Sequence, residues 1–154
     1  MKVLLLFVGK TKDPNLDCLI REYQHRLKHF CDLTLREIRD AEKGDSAQRR
    51  TEKEGEALLA RVQADAYIVV LDPAGESMTS EAFASLIREK RDRSLKDLVF
   101  VIGSHAGLSD PVKKRANKLL SLSAMTLNHE MARLLLIEQI YRAFTLIHHI
   151  PYHK

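Results

Sequence analysis

The sequence contains no tryptophan and, in 154 residues, only two cysteines, Cys18 and Cys31. Two thiols so far apart form neither a C-x-x-C motif nor a disulfide framework, so both are expected to be reduced and structural. No apolar run reaches the length needed to span a bilayer, and the N-terminus lacks a cleavable signal pattern; the expected location is cytoplasmic. The dinucleotide fingerprint G-x-G-x-x-G, a Walker lysine motif and the nucleophile elbow G-x-S-x-G are all missing. Hydride transfer, nucleotide hydrolysis and nucleophilic hydrolysis therefore have little support. The seven histidines include His129, His148, His149 and His153, yet no carboxylate or cysteine joins them at a familiar ligand spacing, and no metal is expected.

What is present suits one globular domain spanning residues 1–154, with 45% hydrophobic and 30% charged residues and no linker or low-complexity tract. The formal charge of +4 permits a polyanionic partner without demanding one. Lys2 to Val8, Leu33 to Ile38, Tyr67 to Leu71, Leu98 to Ile102 and Leu119 to Leu122 read as strands. Between them, Asn15 to Phe30, Ser46 to Val62, Ser80 to Arg91 and Pro111 to Asn117 read as helices. In the first of these, Leu16, Leu19, Ile20, Tyr23, Leu27 and Phe30 share one apolar face. The first half of Ser46 to Val62 is expected to be solvated. Strands alternating with helices predict an α/β fold with a parallel sheet, flanked by helices. By periodicity alone the sheet would be an unknotted, doubly wound one.

Two loops stand out, each at the carboxyl end of a strand, where ligands collect in open α/β sheets. The first is Gly103-Ser104-His105-Ala106-Gly107, followed by Asp110 as expected helix cap and Pro111 at the first helical position. The second is Ser123-Ala124-Met125-Thr126. Leu71 and Asp72 should end on the same edge, with Asp72-Pro73-Ala74-Gly75 as a turn that stops the third strand. The last helix, His129 to Ile147, carries apolar residues around much of its circumference. A sheet covers one face, so the remainder is expected to meet another subunit. On spacing alone, Arg133 and Arg142 read as interface residues.

Several segments, in order and spacing, resemble one family across essentially the whole chain. They are Lys53-Glu54-Gly55-Glu56, Leu71-Asp72 with Gly75, Val101-Ile102-Gly103 with Gly107-Leu108-Ser109, and Leu122 to Thr126. Glu138 to Phe144 and the terminal Pro151-Tyr152-His153-Lys154 complete the set. The sequence is similar to the RlmH family of SPOUT methyltransferases. The resemblance implies an α/β knot with a C-terminal trefoil knot, a homodimer, and S-adenosylmethionine as methyl donor. It also implies methylation of N3 of a pseudouridine in 23S ribosomal RNA of the assembled ribosome. By position, Leu71, Gly103, Leu122, Ser123, Ala124, Met125, Thr126 and Leu127 would surround the donor. His129, Arg133, Tyr152 and His153 would serve as catalytic or substrate-side residues, the tail of one subunit completing the site of the other.

Three positions depart from the family pattern. Ser104 stands where a second glycine is usual, Asn128 where proline is common, and Glu130 puts a negative charge beside His129. Ser104 is expected close to the donor and Glu130 where RNA would arrive. Two alternatives follow: an RNA- or ribosome-binding dimer that has lost the chemistry, and a SPOUT methyltransferase with a different RNA target.

Overall fold

Strand periodicity decides the architecture. In β1 (Lys2–Val8) the side chains of Val3, Leu5 and Phe7 are buried on one face and those of Leu6 and Val8 on the other. A strand buried on both sides must lie inside a covered parallel sheet. The computed structural model, which describes residues 1–41 and 44–152, shows this sheet. Beside β1 run β2 (Asp32–Ile38), β3 (Tyr67–Ser77), β4 (Asp97–Ile102) and β5 (Lys118–Ser121). Their order across the sheet is β2-β1-β4-β3-β5, and every pairing is parallel.

Helices cover both faces. On one side α1 (Pro14–Leu27), α3 (Ser80–Asp92) and α5 (His129–Ile147) bury Ile20, Ile87 and Phe144 against Leu5, Phe7 and Phe100. On the other, α2 (Ala47–Leu59) and the short α4 (Asp110–Arg115) set Leu58 and Val112 against Val70, Val99 and Val101. The start of each longer helix is fixed by a side-chain acceptor: Asp13 for α1, Ser46 for α2, Thr79 for α3 and Asn128 for α5. No helix among the described residues is long and apolar enough to cross a membrane.

Four expectations are corrected. First, β3 does not end at Leu71. Leu71 and Glu76 both pair with Leu120, so residues 72–75 loop out as an irregularity and the strand resumes to Ser77. A Cβ on Gly75 would lie 2.6 Å from the Leu119 and Leu120 backbone, and its absence lets the resumed strand close on β5. Second, Ser109 rather than Asp110 is the N-cap of α4, and its side chain makes no capping bond. Third, α1 stops at Leu27, and Leu19 is 42% exposed instead of joining the apolar face. Fourth, α4 ends at Arg115 rather than Asn117, where β5 is about to begin at Lys118. The first half of α2 is largely solvated, but Glu54, within its charged run, is buried to 2% exposure.

Candidate functional site

A cavity of about 550 Å³ opens where β4 and β5 end, beside the looped-out part of β3. Its walls are the looped-out Asp72–Ala74, the turn from Gly103 to Leu108, the segment Leu122–Asn128 and the first turn of α5. Each wall is held by a specific local device. At Gly103 a Cβ would lie 2.6 Å from the Gly107 carbonyl oxygen and 2.7 Å from the Leu108 side chain. Only a residue without a side chain lets the turn fold so tightly, and Gly107 closes it at φ +87°.

The turn is then tied to α2. The Ser104 hydroxyl donates to Glu54 Oε2 at 2.8 Å and accepts from the Ala106 N–H at 3.3 Å. Glu54 Oε1 accepts the Ala41 N–H at 3.2 Å. Ser104 is among the wall residues, but its hydroxyl is engaged by α2. Gly55 makes the approach possible, since a Cβ there would meet Ser109 Oγ at 2.2 Å. Across the cavity, the Ser121 hydroxyl donates to the Ser123 carbonyl at 3.0 Å, and Ser123 Oγ accepts from the Met125 N–H at 2.9 Å.

One ion pair lies in the wall. Lys113 Nζ stands 2.7 Å from Asp72 Oδ2, while Asp72 Oδ1 accepts the Ala74 N–H at 2.8 Å. Lys113 foremost, with the Ala74 N–H, holds the Asp72 carboxyl below its ordinary range against the opposing effect of burial.

At the start of α5, His129 lines the cavity, with its side chain 33% exposed. Partial burial and the nearby Arg133 cation lower its pKa, outweighing Glu130, which acts the other way. Arg133 is not a wall residue: it is wholly buried beneath. One of its guanidinium nitrogens donates to the Val8 carbonyl at 2.5 Å and another to Thr11 Oγ1 at 3.0 Å. Its Cζ lies 5.2 Å from the Phe7 ring centroid, and its Nε has no hydrogen-bond partner among the described residues. Burial lowers the Arg133 pKa, although Glu130, Glu37 and Asp40 pull it up.

The structure thus brings Leu71, Gly103, Leu122, Ser123, Met125, Thr126, Leu127 and His129 to one cavity. Ala124 belongs to the same loop but is exposed outside the wall. Tyr152 lies elsewhere, at the far end of α5. Its hydroxyl donates to Glu138 Oε1 at 3.0 Å and sits 3.1 Å from the Tyr23 hydroxyl, with Arg142 over its ring at 4.8 Å. Burial and these two bonds raise the Tyr152 pKa. His153 falls outside the described residues. Sequence reasoning gave Glu54 no role beyond its place in the segment Lys53–Glu56, and did not name Lys113. Each sits in a basic or mixed-charge run, where spacing alone does not separate one inward-facing group from its solvated neighbours.

A covered parallel sheet with a cavity at its carboxyl edge, walled in part by a glycine-bounded turn, defines a small α/β protein with a pocket of small-ligand size. Its class is fixed by comparison: the family model described as predicted SPOUT methyltransferase matches residues 1–153, and the chain belongs to that family. It is 41% identical, over 99% of both chains, to a protein of Trichlorobacter lovleyi named ribosomal RNA large subunit methyltransferase H. Proteins of the same name from Geobacter sp. strain M21 and Clostridium botulinum are 42% and 39% identical, covering 99% and 100% of both chains.

Proposed function

We propose that this chain uses S-adenosylmethionine to methylate N3 of a pseudouridine in 23S ribosomal RNA of the assembled ribosome. In this reading it works in the cytoplasm as a homodimer and carries the C-terminal trefoil knot that the resemblance implies. The supporting observation is the cavity itself. It joins Leu71, Gly103 and the loop from Leu122 to Leu127 with His129 in its wall, and its volume falls within the range of roughly 300–1,000 Å³ typical of small-ligand sites.

The residues present fit the donor. Apolar side chains and tightly turned backbone suit an adenosyl group, and the Asp72–Lys113 pair adds polar partners without net charge. When bound, S-adenosylmethionine supplies a methyl group on a sulfonium, so orientation of the acceptor to within about 3–3.5 Å accounts for much of the acceleration. The chain's task is to hold the acceptor there. His129, with its lowered pKa, is neutral at pH 7 and offers a ring nitrogen to the imide proton. Arg133 acts from below, adding to the burial that lowers the His129 pKa and anchoring Val8 and Thr11.

Tyr152 packs against Glu138, nine residues into α5 from His129, or roughly 14 Å along the axis. One chain's Tyr152 is therefore displaced from that chain's own cavity, which favours a tail acting on a partner's site. Half-buried Leu135 and Leu146, eleven residues apart and so on the same side of α5, offer apolar surface for that partner.

The decisive experiment supplies labelled S-adenosylmethionine to ribosomes from a strain lacking the endogenous enzyme and maps the modified nucleotide. Label at N3 of a single 23S pseudouridine is the expected result. Label elsewhere replaces the target while keeping the chemistry. No label, together with no donor binding in calorimetry, would replace the enzyme by an RNA-binding dimer.

A further inference from the structure

Glu130 lies outside the cavity wall, yet its carboxylate is firmly engaged. Oε2 accepts the backbone N–H groups of Lys12 at 3.1 Å and Asp13 at 3.0 Å. Burial would raise the Glu130 carboxyl, but those two N–H groups lead the effects that lower it overall. One turn later on α5, Arg133 grips Val8 and Thr11. Arg133 therefore holds Val8 and the middle of the segment from Gly9 to Asp13, which joins β1 to α1, and Glu130 holds its last two residues.

That segment is also anchored at its ends, by the Gly9 N–H on the Ile38 carbonyl at 2.7 Å and by Asp13, whose Oδ1 accepts the Asn15 and Leu16 N–H groups of α1. The Thr11 N–H reaches Glu37 Oε1 at 3.3 Å, and Gly9 adopts φ +81° beside Asp40, whose carboxylate occupies the place a Cβ would take. Lys10 and Lys12 are exposed on it. The residue before Glu130 is His129, in the cavity wall, and Glu130 Oε1 lies 3.9 Å from its Nε2. A carboxylate here would repel RNA if it were free. Instead its oxygens face backbone donors and the His129 ring.

We propose that Glu130 is a positioning residue for the RNA substrate. It clasps the Gly9–Asp13 segment to the cavity wall and so presents Lys10 and Lys12 to backbone phosphates beside the acceptor nucleotide. The inference rests on the methyltransferase reading and extends it to how the substrate is placed. Arg133 alone does not do this, because it reaches no further than Thr11 and leaves the Lys12 and Asp13 N–H groups to Glu130.

The test uses the full-length protein with Glu130→Ala, Glu130→Gln and the double variant Lys10→Ser/Lys12→Ser. Loss of charge-assisted bonds to two N–H groups in Glu130→Ala should raise KM for ribosomes about tenfold, with kcat and donor Kd within about twofold. Amide hydrogen exchange at Lys12 and Asp13 should quicken in the same variant. Glu130→Gln, whose carbonyl still accepts, should restore both. The double lysine variant should raise KM and flatten its salt dependence, with the exchange of the segment unchanged. A KM that stays the same or falls in Glu130→Ala, or exchange that does not change, overturns the proposal. A KM that falls would mean that Glu130 repels RNA. If wild type shows no turnover, the methyltransferase reading fails separately; the clasp is then decided by exchange and by co-sedimentation of each variant with ribosomes.

Discussion

The first turns of α5 direct their charged groups into the backbone of their own chain, whereas the middle turns gather theirs into side-chain pairs. At the start, Glu130 and Arg133 hold backbone atoms of Val8, Lys12 and Asp13. Further along, Glu138 is shared between Arg142 and Tyr152, with Tyr23 beside them. Backbone partners are fixed by the fold, while side-chain partners can be exchanged by rotamer changes. The walls of the cavity at the first end all come from one chain. The tail at the other end is held by bonds that can be remade elsewhere.

The largest expected effect comes from breaking the fixed end. Gly103→Val places side-chain carbons where the Gly107 carbonyl already lies, at 2.6 Å from the Cβ alone. Backbone cannot swing aside as a long side chain would, so overpacking of about 1–3 kcal/mol is expected to fall on the donor wall, weakening donor binding on the order of a hundredfold. Calorimetric titration measures it. Gly107→Ala is the control: its Cβ meets nothing within 4 Å, and only the positive φ resists it. Its expected cost is about 1–2 kcal/mol of stability, read by denaturant unfolding, with a smaller loss of affinity.

An intermediate effect comes from mixing chains. If the tail of one chain serves the other's cavity, His129→Ala and a chain truncated before Tyr152 should each be inactive, yet active when combined. In a fully exchanged equal mixture half the dimers are mixed, and one of their two sites is intact, so roughly a quarter of wild-type turnover is expected. Turnover that stays at the level of the separate variants would place the tail on its own chain's cavity.

Much of this division was legible in the sequence, and the parts that were not share a cause. The bounds of β1 and α5 follow from a β-branched and leucine-rich run ended by Gly9 and from an apolar run opened by Asn128. Of the cavity loops, Gly103 to Gly107 follows from glycine after a strand, and Ser123 to Thr126, which has no glycine, from polar residues after an apolar run. The extension of β3 was hidden because Asp72-Pro73-Ala74-Gly75 has the chemistry of a turn, and indeed forms one, but the register shift lets pairing resume beyond it. The roles of Glu54 and Glu130 were hidden because carboxylates in charged surroundings look alike in one dimension. Glu54 is distinguished by Ser104, 50 positions away, and Glu130 by Lys12, 118 positions away. Arg133 read as an interface group by helical spacing, while its burial comes from β1 passing beneath α5.

The smallest effect sharpens the same contrast through pH. His129 is lowered by partial burial and by Arg133, so the unfolded chain takes up a proton at a higher pH than the folded one. Below about pH 6.5 the unfolded state binds more protons at this residue, and stability must fall as pH drops until the folded histidine is also protonated. Asp72 behaves oppositely in origin but similarly in sign. Lys113 lowers its folded pKa, so the stability it contributes above the ordinary carboxylate range is lost only as pH falls through that range toward the folded value. The two windows are separate, so urea unfolding between pH 7.5 and 5 isolates His129. His129→Asn should flatten the slope in that interval and leave the decline below pH 4 in place. A slope unchanged by the substitution would mean that the first turn of α5 does not hold its histidine uncharged, and the neutral acceptor assigned to His129 would be lost with it.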